Sequence, residues 1–185
     1  MTSIKSTVLV ATAAFALGSA PVRAQAPSPS PQPTGAEHHH VLAAHHANAQ
    51  QHAKALHHHA ATSKTINKEV AKEHAEEIDR SLDAAEKHTG HVEESMTPAE
   101  KTAAAAHLKS MHEHHAQAKK HQAELRAELN KENPDPAKVK EHAAQIHHHV
   151  TAASTSHTAV MKQRNVKQPV TPSPAASPSP SDDRP

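Results

Sequence analysis

Residues 97–131, TPAEKTAAAAHLKSMHEHHAQAKKHQAELRAELNK, carry a helix start, an apolar seam and a histidine ladder in one segment. Thr97 offers a hydroxyl at the N-cap, Pro98 fills the first helical position where no N–H is needed, and Glu100 completes a capping box. Beyond this start His107, His114 and His121 recur every seven residues, and Met111, Ala118 and Leu125 do the same on the neighbouring row. That is the spacing of a helix packed against other helices. The histidines therefore sit on or beside the buried seam, where an imidazole is costly unless something pairs with it.

The same pattern extends outward in both directions. In residues 36–62, His38, His45, His52 and His59 keep strict seven-residue spacing, with Leu42, Ala49 and Leu56 on the adjoining row. Ser63-Lys64-Thr65 is a weak break, so the first two helices are either separate or one rod. From 66 to 88 the seam is Val70, His74, Ile78, Leu82 and Ala85, and Thr89-Gly90 predicts a left-handed helix end. Asn133-Pro134-Asp135-Pro136 separates the third helix from a fourth, capped by Asp135 and carrying Val139, Ile146, Ala153 and Val160 beside His142 and His149. These segments predict an all-α protein, an antiparallel four-helix bundle of two hairpins over residues 36–165; three helices, the first unbroken from 36 to 88, is the rival. Leu, Ile, Val and Met occupy only 18 of those 130 positions. So thin a core calls for bound ligands or a homodimer to hold it.

The flanks differ in kind. Residues 1–24 have the form of a secretory signal, with Lys5, an apolar run from Val8 to Leu17 and a Val22-Arg23-Ala24 cleavage site. That run is about half of the ~20 residues a membrane span needs, so a periplasmic or secreted chain without a span follows. Residues 25–35 and 166–185 are rich in Pro and Ser and are expected to be disordered tails.

Composition narrows the function. The chain has 22 histidines, no Cys, Trp or Tyr, and one Phe, Phe15, inside the signal segment. Without cysteine there is no disulfide, thiolate zinc site, iron–sulfur cluster or thiol nucleophile. The formal charge of +1 becomes −1 once Lys5 and Arg23 leave, which argues against a nucleic-acid partner. No Gly-x-Ser-x-Gly elbow, His-Glu-x-x-His pair or recurrent Glu-x-x-His set is present, so no enzyme is expected.

Histidines seven apart on a helix lie about 10.5 Å apart and cannot share one ion, so each rung needs a ligand from a facing helix. Closer spacings add His88 with His91, His112 with His115, and Met111 between His107 and His115. The candidate metal ligands are His38, His45, His52, His59, His74, His88, His91, His107, Met111, His112, His114, His115, His121, His142 and His149. Imidazole and thioether donors select transition metals, copper first and zinc or nickel as alternatives.

Met96-Thr97-Pro98-Ala99-Glu100 is similar to the Leu-Thr-x-x-Gln helix start of Spy/CpxP-type periplasmic proteins and their heavy-metal-sensor relatives. Asn133-Pro134-Asp135-Pro136-Ala137-Lys138-Val139 resembles the segment opening their next long helix, and together the likeness covers residues 96–150. It implies periplasmic helical hairpins, often dimeric, serving envelope stress, chaperoning or metal sensing. The expectation is a non-enzymatic histidine-rich coiled coil for metal buffering, storage or resistance. The alternative is an envelope-stress chaperone with pH-responsive histidines.

Overall fold

The computed structural model describes residues 35–166. They form four helices, α1 Gly35–Thr62, α2 Lys68–Glu94, α3 Pro98–Leu129 and α4 Pro136–Gln163. Each helix packs on the next and α4 closes against α1, so the chain is an antiparallel four-helix bundle of two hairpins. The expected signal segment 1–24, and the expected tails apart from Gly35 and Val166, lie outside the described residues. Gly35 is the first residue of α1, and the Val166 N–H donates to the Met161 carbonyl at 2.9 Å.

The ends follow from local chemistry. The Thr97 hydroxyl accepts from the Glu100 N–H while the Glu100 carboxylate accepts from the Thr97 N–H, completing the capping box. Asp135 caps α4 through the Ala137 N–H, with Pro136 behind it. α1 and α2 are separate helices because Asn67, rather than the Ser63-Lys64-Thr65 run, turns its side chain onto the Val70 N–H and starts α2 afresh.

Two expectations for α2 are corrected. It does not end at Gly90, which has no left-handed φ; it continues to Glu94 because Val92 and Met96 beyond the glycine are buried in the core. A buried valine and methionine outweigh the ~1 kcal/mol a helical glycine costs. Val70 is 37% exposed, and Ala71 and Ala75 carry the seam in its place.

The two hairpins repeat one plan. The seven buried positions of α1 from His39 to Ala60 have buried counterparts 69 residues later in α3, from Leu108 to Leu129. Those of α2 from Ala71 to Val92, apart from Ser81, recur 68 residues later in α4, so that Ile78 matches Ile146 and Val92 matches Val160. The resulting core is two apolar clusters. One gathers Leu56, Ile78, Leu82, Leu125 and Ile146, and the other Leu42, Val92, Leu108, Met111 and Val160. On α1 His46 lies between Leu42 of one cluster and Ala49 of the other, and on α3 His115 lies between Met111 and Ala118. A buried polar layer thus divides the bundle.

Candidate metal centres

Immediately before the core row of each helix lies a flanking row that faces the partner within the hairpin. On α1 it is His38, His45, His52 and His59; on α2 His74, Ser81 and His88; on α3 His107, His114 and His121; on α4 His142, His149 and Ser156. Antiparallel pairing brings these rows together rung by rung. His38 and His88 meet Nδ1 to Nδ1 at 3.0 Å, His52 and His74 at 2.9 Å, and His114 and His149 at 3.2 Å. His91 stacks on His38 with ring centres 4.7 Å apart, and His45 on His88 at 5.6 Å. In the second hairpin His121 lies between His149 and His142, with ring centres 5.7 and 5.9 Å away. Glu124 joins this rung: its Oε2 is 2.9 Å from His121 Nδ1 and 3.4 Å from His142 Nδ1.

Burial and then neighbouring imidazoles push the pKa of His74, His88 and His149 below the usual histidine value. These rings are neutral at pH 7, the state in which imidazole binds a metal. Neutral rings whose nitrogens lie about 3 Å apart can share either a proton or an ion, since two nitrogens 2.0–2.1 Å from one ion have about that separation.

Four other histidines lie deeper. His39, His46, His115 and His157 are almost completely buried. Arg164, at the end of α4, donates to His39 Nε2 at 3.0 Å and has no acceptor to offer, so His39 carries its proton on Nδ1 and donates it to His157 Nε2 at 2.9 Å. The same guanidinium donates to the Ser95 hydroxyl and to Glu100 Oε1, tying the C-terminus of α4 to the other three helices. His157 stands edge-on to His46, ring centres 5.8 Å apart, and His46 meets His115 Nε2 to Nε2 at 2.7 Å. Nδ1 of both His46 and His115 is buried without a partner. Desolvation is the main cause that lowers the pKa of His39 and His115 to about 4, of His157 to about 3 and of His46 to about 2. Arg164 adds to it at His39, and neighbouring histidines add to it at the other three.

The expected ligands thus separate. His38, His45, His88 and His91 form one group, His52 and His74 a second, and His114, His121, His142 and His149 a third. His59 lies near the second group, where its Nε2 accepts from the Asn67 N–H. His112 points outward to Glu93 and parts from His115, its neighbour three residues on, which faces the core. His107 is half-exposed in the flanking row and joins none of these groups, and Met111 is fully buried in the apolar cluster. The structure adds His39, His46, His157 and Glu124 to the residues that sequence spacing picks out. His157 had a signal, since it lies four residues after Ala153 and three before Val160 of the expected seam, and so had Glu124, three residues after His121.

No family model, curated relative or solved structure matches this chain.

Proposed function

We propose that this chain is a non-enzymatic, histidine-rich binder of several transition-metal ions, copper first and zinc or nickel as alternatives, for buffering, storage or resistance in the periplasm or outside the cell. One observation carries the proposal. Three imidazole pairs at hairpin seams, His38/His88, His52/His74 and His114/His149, hold nitrogens 2.9–3.2 Å apart. Each pair brings one ligand from each helix, so a bound ion staples the hairpin where apolar residues are scarce, and binding adds to folding stability by linkage. Repetition of pairs along a seam suits capacity for many ions. The absence of thiols keeps the donor set proof against oxidation to disulfides.

The test is titration of metal-free protein with Cu(II), Zn(II) and Ni(II), counting ions by native mass spectrometry and following the thermal midpoint by circular dichroism. More than one ion per chain and a rising midpoint are expected. Weak, sub-stoichiometric binding with an unchanged midpoint would remove the proposal. The chaperone alternative gains less support, because Val41 and Val70 are the large apolar side chains exposed among the described residues and offer little surface to an unfolded client.

A further inference from the structure

The internal repeat allows one hairpin to serve as a control for the other. The 69- and 68-residue offsets map His52 onto His121 and His74 onto His142, so both hairpins carry the same imidazole rung. Among the positions that differ around the two rungs, Glu124 of α3 corresponds to Ala55 of α1. Glu73 and Glu77 lie beside the first rung, with Glu77 paired to Arg80; among the described residues it is in the second rung that a carboxylate oxygen closes on both imidazoles.

In the second rung the three donor atoms lie within 4.8 Å of one another, close enough for small side-chain movements to bring them onto a common ion at bonds of about 2.0–2.2 Å. His142 Nδ1 is buried and makes no hydrogen bond, although it faces Glu124 Oε2 at 3.4 Å. A buried nitrogen of this kind is costly, and a bound cation satisfies it. The His121 and His142 side chains are about four-fifths buried, at 21% and 19% exposure, whereas Glu124 is 41% exposed. One side of the rung thus opens to solvent, giving an entry path and room for a water as a further ligand.

We propose that His121, Glu124 and His142 form a carboxylate-bearing site for a divalent cation of the zinc class, tighter for that ion than the rung His52/His74, whose neighbour Glu77 is held by Arg80. The inference rests on the metal-binding function proposed above and deepens it. The carboxylate supplies the negative charge that neutral imidazoles lack, leaving a bound M(II) with one net positive charge instead of two. It also moves the donor set from the nitrogen-only character that suits copper toward the mixed nitrogen and oxygen set found around zinc. Its carboxylate is supplied by the residue three positions after His121 on the same helical face.

The test compares the metal-free full chain with its Glu124→Gln and Ala55→Glu variants. Zn(II) affinity is measured by competition with a chromophoric chelator, and Co(II) absorption serves as a probe of coordination. Glu124→Gln keeps the shape and removes the charge; it is expected to weaken one Zn(II) site by about tenfold or more and to reduce the Co(II) visible bands, with the remaining ions still bound. Ala55→Glu is expected to add a second tight Zn(II) site. A Glu124→Gln protein that keeps wild-type affinity at every Zn(II) site would overturn the proposal while leaving general metal binding intact. If that variant does not fold, Ala55→Glu decides alone, and no additional tight site would overturn it. A wild-type chain that binds no Zn(II), Cu(II) or Ni(II) would overturn both this site and the function it rests on.

Discussion

His46 and His115 share one hydrogen bond and leave two ring nitrogens over. Whichever ring donates through Nε2 keeps a bare Nδ1, and the other keeps an Nδ1–H, both buried and unpartnered. The pair is therefore worth less than an apolar pair of similar shape, but losing one member is worse, because the survivor's Nε2 is orphaned as well. His115→Leu in metal-free protein is expected to lower stability by about 1–3 kcal/mol. His46→Leu with His115→Leu is expected to recover most of that loss, and urea unfolding of the three proteins checks it. A double variant no more stable than the single one would contradict this account. A glycine gives the opposite case. A Cβ at Gly90 would meet no atom within 4 Å, and the residue is helical, so Gly90→Ala should stabilise by about 0.5–1 kcal/mol in the same measurement.

The four helices differ in how much of them could be read in advance. Leu42, Ala49 and Leu56, then Met111, Ala118 and Leu125, then Val139, Ile146, Ala153 and Val160 are all buried as their spacing predicts. Both proline-marked helix starts are where Thr97 and Asp135 put them. The inward imidazoles were not legible, for a reason particular to this chain. Histidine occurs as neighbours at 38–39, 45–46 and 114–115, and the longer ladders His38/His45/His52/His59 and His107/His114/His121 draw the seven-residue reading onto the first member of each. Only packing decides, placing His39, His46 and His115 in the core and their predecessors in the flanking row. The end of α2 was hidden differently, since a tertiary anchor at Val92 overrides the local signal of Gly90. Within an element, capping and surface charge should contribute unequally. Thr97→Ala removes a reciprocal cap and should cost about 0.5–2 kcal/mol. Lys119→Ala, which breaks exposed pairs to Asp83 and Glu86 between α2 and α3, should cost less than about 1 kcal/mol. Thermal melts that reversed this order would contradict the assignment.

For the whole bundle, acid is the predicted weakness. The buried rings His39, His46, His115 and His157 titrate near 6.5 in the unfolded chain but only at about 4, 2, 4 and 3 in the folded one. Between these values the unfolded state binds more protons, so stability is complete above about pH 6.5 and is lost as the pH falls toward 4. At up to about 1.4 kcal/mol per pH unit for each ring, four rings withdraw at most about 6 kcal/mol per unit, comparable with the whole stability of a small domain. Metal-free protein is thus expected to lose its helical circular dichroism near pH 5. A urea midpoint unchanged between pH 7 and pH 5 would refute this. The doubled plan of the two hairpins has a consequence of another kind. Half of this polypeptide, associating with an identical copy, would bury the same rows, and the residue at 46 or 115 would meet its own twin on the dyad. Joining the halves in one chain lifts that symmetry, so that histidine at 39 answers leucine at 108 and alanine at 55 answers glutamate at 124. Each half is then free to specialise while the other preserves the architecture.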